Sequence, residues 1–493
     1  MRFAFHLSAL TALTAASPGI AAPRHQDFDR ATSRVRPLAD ATRTVPGAAP
    51  AAAFIAVARG MKPVIVVDGV ADVRTGAKAD GDTPFYIASM TKAYMGLLAA
   101  ELDRKGILKL DSTIADHWPD LRIPGTDTNA VTLRNLLTHR LLFENSPLSF
   151  RTAYTDEVAA ADYPALLASH STLRKPGFSY TNLGYLMYGA ILEKETGRSW
   201  KDWLASDVFQ PLGLRHSSAR SSDFPVVTAA HQWTAQGWHA FPMKTDALMH
   251  AAGGLVTSPN DMARWLQAHL EGTGLSAGSF RAAHAVLPHP AETNEGQSCD
   301  GYALGWSRCT AHGITYLTHG GGYTGFRSRM LIVPAFGVGF AYLTNSDSMT
   351  GGLTAKLQDA FVKALADPTF ASDPAAFAAD YAKIVAEQAA GRASREAKDR
   401  TDVKWGGWTW QPAPEVLAHY VGRYLHPALG EMTVLRDGGG LVAALGAYSV
   451  RLTPAVEGVF AGTSNLAEKR EFLRFDPGAQ SLLWNDSRFI RVN

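Results

Sequence analysis

Little in this sequence suits a protein that binds nucleic acid, spans a membrane or holds a metal. Its 47 Lys and Arg nearly balance its 45 Asp and Glu, and a formal charge of +2 provides no attractive field for nucleic acid. After residue 22 no apolar run is long enough to cross a bilayer. There is no His-Glu-x-x-His motif and no Cys/His cluster, so neither a metal nor another cofactor is predicted.

Cysteine is scarce, and the chain begins with a segment typical of exported proteins. Residues 1–22 combine a positive start with an apolar stretch and an Ala21-Ala22 end, which predicts a cleavable signal peptide and a periplasmic or secreted protein. No cysteine near the cleavage site offers a lipid attachment. The only two, Cys299 and Cys309, can form a disulfide in an oxidising compartment, but their spacing leaves the pairing open.

The first candidate for chemistry is a serine followed three residues later by a lysine. Ser89 is the only serine in the chain with such a partner, Lys92. Residues three apart lie on one face of a helix, so the spacing puts the amine beside the hydroxyl. The apolar run 93–100 indicates a buried helix, and burial favours the neutral amine that can act as a base. The alternative is an ordinary N-cap serine and an exposed lysine.

A second motif lies in a loop that leads into another apolar helix. Tyr180 is the only tyrosine in a Tyr-x-Asn motif, here with Asn182, within a Pro/Gly-punctuated loop before a helix predicted over 185–195. A tyrosine in such a loop can relay protons, and an amide can donate to a substrate carbonyl while accepting from a lysine. The alternative is a tyrosine packed on a turn and an asparagine that caps the helix.

A third motif follows a strand-like run at 314–318 and begins with His319. Three glycines come next: Gly320, Gly321 and Gly322. Glycine in or beside a strand predicts a close approach of the backbone to a ligand, as at an edge strand that lines a cleft. These glycines also match the dinucleotide fingerprint, but two further strands, 326–334 and 337–343, are predicted where a helix should begin. A lipase-like oxyanion motif is rejected because the chain contains no Gly-x-Ser-x-Gly.

Together these motifs resemble the serine β-lactamase and penicillin-binding-protein superfamily. The similarity is to its class C branch, which includes class C β-lactamases, D-alanyl-D-alanine carboxypeptidases, D-aminopeptidases and related esterases. It covers roughly residues 50–365. Further segments similar to markers of that fold are Leu136-Leu137-Thr138-His139, Pro211-Leu212-Gly213-Leu214, 252–262 and Tyr302-Ala303-Leu304-Gly305-Trp306.

The resemblance implies a role for each residue of the first two motifs. Ser89 would be the acylated nucleophile and Lys92 its hydrogen-bonded base. Tyr180 would share proton transfer with Lys92, and Asn182 would hold the substrate amide. We therefore expect four side chains from two distant segments to meet in one cleft.

For the third motif the resemblance implies substrate binding. His319 would stand where class C β-lactamases carry the lysine of Lys-Thr-Gly, with Gly320, Gly321 and Gly322 beside it. The backbone N–H groups of Ser89 and Gly322 would form the oxyanion hole. An imidazole with an ordinary pKa is cationic only below about pH 6.5, so we expect a weaker grip on a substrate carboxylate than lysine has, improving in mild acid.

The fold class that the resemblance implies is α+β, followed by a second domain. A β-lactamase/transpeptidase-like domain, with an antiparallel sheet flanked by helices and an all-helical region, is expected over 51–370. Residues 23–50 look like a lead-in linker without periodicity, and the Ala-rich stretch 371–404 like a helical linker. Short alternating runs over 405–493 predict a small all-β barrel, similar to the lipocalin-like domains appended to this family. Three tryptophans at its start are interpreted as fastening the linker rather than stacking on a sugar: Trp405, Trp408 and Trp410.

These features predict a serine hydrolase that forms an acyl-enzyme and passes the acyl group to water. The expected substrates are peptide or amide derivatives of D-amino acids, or β-lactams. Two alternatives stay open, a carboxylesterase for short acyl esters and a non-catalytic envelope protein that binds peptidoglycan. The predicted partner is a small molecule or peptide, with no nucleic acid and no stable membrane insertion, and the oligomeric state is open.

Overall fold

The computed structural model describes residues 25–234, 236–294, 297–348, 351–402, 408–466 and 470–492. The predicted signal peptide, 1–22, lies outside these residues. No helix within the described ranges is both long enough and apolar enough to cross a membrane.

Helices and short helical turns make up much of the first two thirds of the chain. The α-helices are α1 (His25–Thr42), α2 (Thr91–Lys105), α3 (Ile114–His117), α4 (Leu133–Leu137), α5 (Ser146–Phe150), α6 (Tyr163–His170), α7 (Leu183–Thr196), α8 (Trp200–Leu204), α9 (Gln210–Leu212), α10 (Pro259–Glu271), α11 (Ala277–Ala283), α12 (Gly351–Ala366), α13 (Pro374–Thr401) and α14 (Pro414–Ala418). The α7 helix, predicted over 185–195 with an end near Gly197, is confirmed, and Gly197 closes it in the left-handed conformation at φ 64°.

The strands divide between the first domain and the C-terminal domain. Those of the first domain are β1 (Ala51–Ala58), β2 (Val64–Asp72), β3 (Ala77–Lys78), β4 (Phe85–Tyr86), β5 (Phe143–Glu144), β6 (Thr172–Leu173), β7 (Ser217–Ser218), β8 (Ala230–Thr234), β9 (Gly237–Phe241), β10 (Val256–Thr257), β11 (Leu287–Asn294), β12 (Gln297–Tyr302), β13 (Ser307–Ala311), β14 (Ile314–Tyr323), β15 (Phe326–Val333) and β16 (Val338–Thr344). Those of the second are β17 (Gly422–His426), β18 (Gly430–Asp437), β19 (Gly440–Leu445), β20 (Tyr448–Val456), β21 (Val459–Ser464), β22 (Arg470–Phe475), β23 (Ser481–Trp484) and β24 (Ser487–Val492).

The centre of the first domain is an antiparallel nine-stranded sheet in the order β11-β12-β13-β14-β15-β16-β1-β2-β3. Successive side chains of β1 enter two different hydrophobic cores, because neighbours on a strand point to opposite faces. Ile55 and Val57 belong to the core that includes α2, α7 and α10, whereas Phe54 belongs to the core with α1, α12 and α13. Helices therefore cover both faces of the sheet, and the expected α+β architecture is confirmed.

The segment expected to be a lead-in linker is instead largely a helix of the first domain. In α1 the buried residues Phe28, Ala31, Val35 and Leu38 recur at helical spacing and join the core beneath β1. The expectation that 23–50 lacks periodicity is therefore wrong. The apolar stripe is narrow and lies among several arginines, so it contributes little to the average composition.

The C-terminal domain is a closed antiparallel barrel whose strands run in sequence order from β17 to β24. Phe150 in α5 packs edge-on against Tyr448 and Trp484 of the barrel, which joins the two domains. The guanidinium carbon of Arg470 lies 4.5 Å from the ring centre of Trp408. The ring centres of Trp410 and Phe460 are 5.4 Å apart. These two tryptophans therefore fasten the junction, as interpreted from the sequence, while Trp405 lies outside the described residues.

The two cysteines lie opposite each other on neighbouring strands. Cys299 of β12 pairs in register with Cys309 of β13, and the two are joined by a disulfide. Disulfides are typical of proteins that fold in an oxidising compartment, so the bond agrees with export to the periplasm or beyond, which stays a prediction.

Candidate active site

Ser89 lies in a tight turn that leads directly into α2. The turn Ala88–Met90 is a single 3₁₀ segment, and Thr91 Oγ1 both donates to the Ala88 carbonyl and accepts from the Leu255 N–H. Ala88 has a φ of +46°, a conformation that costs energy for a residue with a side chain and is retained where the surroundings enforce it. Ser89 does not cap either helical segment with its side chain, so the alternative of an N-cap serine is excluded.

The helix that follows Ser89 is buried along three turns, as its apolar sequence predicts. Every residue from Thr91 to Leu102 is buried. At Gly96 the helix lies so close to the Leu304 carbonyl that a Cβ would sit 2.1 Å from the oxygen. The segment Tyr302–Trp306, noted in the sequence only as a family marker, therefore packs directly against the α2 helix that follows Ser89.

Lys92 reaches from this buried helix to three oxygen atoms. Its Nζ lies 3.1 Å from Ser89 Oγ, 2.9 Å from Asn182 Oδ1 and 2.7 Å from the carbonyl oxygen of Ala252. The Asn182 amide oxygen and the Ala252 carbonyl oxygen can only accept hydrogen bonds. In a neutral Lys92 amine both N–H groups therefore donate to these two oxygens. The remaining lone pair then faces the Ser89 hydroxyl, which is the arrangement required of a base.

The surroundings of Lys92 favour this neutral form. The residue is fully buried, and desolvation lowers its pKa well below the ordinary lysine value. An unperturbed lysine near pKa 10.4 would be neutral in only about one molecule per thousand at pH 7.4. Burial therefore raises the share of neutral amine, the form that can act as a base, beyond what the sequence motif alone guarantees.

Tyr180 and Asn182 stand on the loop before α7 and face the same lysine. The Tyr180 hydroxyl lies near Ser89, and Lys92 Nζ lies 4.9 Å from the centre of the tyrosine ring. Burial of the hydroxyl raises the pKa of Tyr180, although 45% of the residue's surface is exposed. Asn182 occupies the N-cap position of α7 but makes no side-chain capping bond, so the alternative of a helix-capping asparagine is wrong. Its Oδ1 accepts from Lys92, and its NH₂ group is left to donate to a substrate carbonyl.

A buried histidine supports the tyrosine loop from below. His139 accepts a hydrogen bond from the Thr181 N–H at Nδ1, and its carbonyl accepts from the Ser179 N–H. Its ring centre lies 4.4 Å from that of Tyr180. Because His139 is fully buried and sits at a φ of +57°, it fixes the loop through both backbone and ring contacts.

His319 lines the cleft, but both of its nitrogens are already bound by the protein. Nδ1 donates to the Gly320 carbonyl at 2.7 Å, since that oxygen can only accept. Nε2 then accepts from the Tyr302 hydroxyl at 3.0 Å. Burial and the nearby Lys92 amine lower the pKa of His319 to about 3. The expectation of an ordinary imidazole that becomes cationic in mild acid is therefore wrong.

This neutral His319 gives a prediction about pH. Between about pH 5 and pH 8, the ratio of kcat/KM for a carboxylate-bearing substrate to that for its neutral analogue should change less than about twofold, because the imidazole stays neutral throughout. Paired pH profiles of the parent and His319→Gln measure this. A ratio that rises about tenfold towards pH 5 in the parent, and not in the variant, would contradict it.

The three glycines occupy the second half of β14. The strand as a whole is not an edge strand, which corrects the expectation, because β14 lies between β13 and β15. Its ladder with β13 ends at Thr318, however, and in the described sheet residues 319–323 pair with β15 alone. A Cβ on Gly321 would lie 2.1 Å from the Ile87 carbonyl oxygen, so glycine there lets the strand meet the Ser89 turn. The oxyanion hole expected from Ser89 and Gly322 stays a prediction.

These elements enclose a cleft of about 460 Å³. Its lining includes three of the predicted residues from different segments: Ser89, Tyr180 and His319. Two arginines from β15, Arg327 and Arg329, lie in the same wall. Within the described part of the chain no three potential metal ligands come together.

Sequence reasoning did not identify three groups at the site. These are the Ala252 carbonyl, Tyr302 and Arg327. The first two lie in segments noted only as family markers, so the signal was present without a role. Arg327 follows the Gly325-Phe326 pair directly, and nothing in its local pattern distinguishes it from a surface arginine.

Comparisons with known proteins were made by sequence and by structure. The family model described as Beta-lactamase matches residues 34–365. Unguisins hydrolase ungD of Aspergillus violaceofuscus (strain CBS 115571) is 25% identical over 423 residues, covering 75% of this chain and 70% of that protein. Protein flp of Staphylococcus aureus (strain COL) is 24% identical over 285 residues, so the match spans 57% of this chain and only 56% of flp.

Solved structures share the fold at low sequence identity. SurE superposes with a TM-score of 0.53 and 21% identity over 95% of this chain and 100% of its own. The D-amino acid amidase from Ochrobactrum anthropi SV3, complexed with D-phenylalanine, superposes with a TM-score of 0.56 and 20% identity, and the match covers 69% of this chain and 99% of the amidase. The octameric penicillin-binding protein homologue from Pyrococcus abyssi has a TM-score of 0.56 and 19% identity, and the match covers 94% of this chain and 99% of the homologue. At these identities the likeness shows the fold alone, and two of the three cover nearly the whole chain.

Proposed function

Because the chain belongs to the Beta-lactamase family of serine hydrolases, we propose that it cleaves amides and peptides of D-amino acids through an acyl-enzyme at Ser89. The observation that carries the proposal is the buried Lys92 amine, 3.1 Å from Ser89 Oγ, whose other two contacts are both hydrogen-bond acceptors. The substrate class is supported by relatives of this fold that were solved with D-phenylalanine and with D-leucine.

The proposed acylation begins with attack of Ser89 Oγ on the substrate carbonyl carbon. The hydroxyl proton passes to Lys92 Nζ, which is neutral and accepts it through its lone pair. When the tetrahedral intermediate collapses, the C–N bond breaks and the departing amine takes the proton from Lys92, directly or through the Tyr180 hydroxyl. The product is an ester of Ser89 and a free amine, and Lys92 is neutral again.

Deacylation reverses the same proton path with water as the nucleophile. A water molecule gives one proton to the Lys92 and Tyr180 pair while its oxygen attacks the ester carbonyl. The C–O bond to Ser89 then breaks, and the Ser89 oxygen recovers a proton from the pair. A carboxylic acid leaves, so one water is consumed for each bond cleaved.

A carboxylesterase acting on short acyl esters is the second candidate. The engaged, neutral His319 favours it over a β-lactamase, because no lysine-like cation stands at that position to bind the carboxylate of a β-lactam. The same machinery breaks an activated ester more easily than an amide, because the leaving alcohol needs less protonation.

A substrate panel with mass spectrometry tests the proposal. We expect the purified protein to hydrolyse D-alanine p-nitroanilide at least about tenfold faster than the L-isomer, p-nitrophenyl acetate readily, and benzylpenicillin slowly, since each tenfold needs only about 1.4 kcal/mol of discrimination. A fluorophosphonate should attach one phosphonyl group to the peptide that carries Ser89, and the mass of that peptide should rise accordingly. Ester hydrolysis without any anilide turnover would favour the carboxylesterase, and absence of the adduct would overturn both.

A further inference from the structure

A second and larger cavity, of about 1070 Å³, lies between the first domain and the barrel. Its walls come from the β8–β9 hairpin, from α13, and from strands β20 to β22. The lining is mainly polar, and the barrel contributes hydroxyl and amide groups: Ser449, Thr463, Ser464 and Asn465. The cavity therefore exists only because the barrel is docked on the catalytic domain.

Positive charge dominates this cavity. Among its described lining residues are five arginines and two aspartates, an excess of three positive charges: Arg327, Arg392, Arg395, Arg451, Arg470, Asp347 and Asp399. Both aspartates lie near arginines of the lining, with Asp399 3.6 Å from Arg470 and Asp347 close to Arg327. Arg395 and Arg451 are exposed to the cavity, and the ion pair between Arg451 and Asp437, at 3.7 Å, is exposed and therefore weak.

The cationic cavity adjoins the catalytic cleft. Thr324 and Arg327 line both spaces. Arg327 Nη1 lies 3.3 Å from where a Cβ on Gly322 would be, so the guanidinium stands directly beside the strand expected to bind substrate. Its Nη1 donates to two neutral backbone oxygens, those of Tyr323 and Phe326, at 2.8 and 2.7 Å. These bonds orient the guanidinium and do not neutralise its charge.

We propose that this cavity is an extension of the substrate site that holds a carboxylate-bearing part of a peptide-like substrate, remote from the scissile bond. The inference rests on the proposed hydrolase function. Guanidinium groups are always charged and bind carboxylates through paired hydrogen bonds, so they recognise such a group at any working pH. The shared Arg327 joins the two spaces, and the volume is sufficient for several residues of a peptide. The barrel thus supplies specificity to the catalytic domain.

Matched substrates and matched variants test this inference. Two pairs of D-alanyl peptide substrates are compared. In the first pair the N-terminus carries either a succinyl group, which is charged, or an acetyl group, which is neutral. In the second pair the C-terminus is either a free carboxylate or a neutral amide. We expect the charged member of at least one pair to have a kcat/KM about tenfold higher, mainly through KM. The Arg395→Gln/Arg451→Gln double variant should lose this advantage. Arg436→Gln/Arg474→Gln, which changes exposed barrel arginines outside the cavity lining, should keep it.

Controls separate this inference from the function on which it rests. Hydrolysis of p-nitrophenyl acetate and of the neutral peptides should be unchanged in both double variants, and the charged advantage should shrink with salt as the screening length falls from about 10 Å at 0.1 M. Neutral substrates turned over without any charged advantage would overturn the inference alone. If no substrate is hydrolysed, calorimetry measures the affinity of the succinyl peptide for Ser89→Ala and for Ser89→Ala that also carries Arg395→Gln and Arg451→Gln. Equal affinities would overturn the inference.

Discussion

Ser89→Ala is expected to lower kcat/KM for every substrate by roughly 10⁵-fold, leaving only the rate that binding and oxyanion stabilisation provide. Loss of the hydroxyl removes the proposed nucleophile, which stands 3.1 Å from the buried Lys92 amine. Steady-state rates with p-nitrophenyl acetate and D-alanine p-nitroanilide measure the effect. The fold should survive, because Ser89 is only half-buried and caps no helix.

A second serine in the same cleft provides the control for this variant. Ser307 also lines the cleft, on β13, at some distance along the chain from any of the three motifs. Ser307→Ala should retain activity within about threefold. A Ser89→Ala protein that folds normally and hydrolyses the acetate at a rate near the parent's would show that the nucleophile lies elsewhere.

Lys92→Met is expected to slow acylation by about 10³-fold to 10⁵-fold, because it keeps the length of the side chain but removes the base. Some stability should be lost as well, since the Asn182 and Ala252 oxygens lose their buried donor. Lys105→Met at the other end of α2, where the lysine forms a surface pair with Asp207, should leave the acylation rate unchanged. Single-turnover rates separate acylation from later steps.

The same measurement tests whether Lys92 and Tyr180 act as one unit. Tyr180→Phe removes the hydroxyl that lies near Ser89 while it keeps the ring beside Lys92. In a double-mutant cycle, the loss in Lys92→Met/Tyr180→Phe should be much smaller than the product of the two single losses. Multiplicative losses would instead indicate two independent roles.

The parent's kcat/KM should fall as pH falls through the lowered pKa of Lys92, where the base becomes protonated.

Local patterns predicted much of this fold correctly. The apolar run after Ser89, the helix that ends at Gly197 and the two strands after the glycines all form where their periodicity or their glycines indicate. The alternating C-terminal runs form a barrel, because short strands must close or pack to satisfy their edges. The helix α1 was missed because its stripe of apolar residues can be recognised as a buried face only against the sheet that it covers.

His319 shows most clearly where prediction from sequence reached its limit. Its position after a strand and before three glycines indicated a place in the cleft, and it lies there. Its protonation depends on Tyr302, which is 17 residues away in sequence, and on the depth at which both are buried. No spacing rule encodes either quantity, since a pKa responds to the atoms that surround the group in three dimensions.

The sequence by itself determined the order of the three motifs, the helices and strands that carry them, and membership of the Beta-lactamase family. These properties follow from residue types and spacing, which act through local backbone preference and periodic burial. Only the tertiary structure decided that the buried Lys92 amine lies 3.1 Å from Ser89 Oγ, that the protein itself engages both nitrogens of His319, and that arginines from two domains line one cavity beside the cleft. Each of these depends on contacts between segments far apart in the chain, and desolvation and hydrogen bonding act on groups only once folding has brought them together.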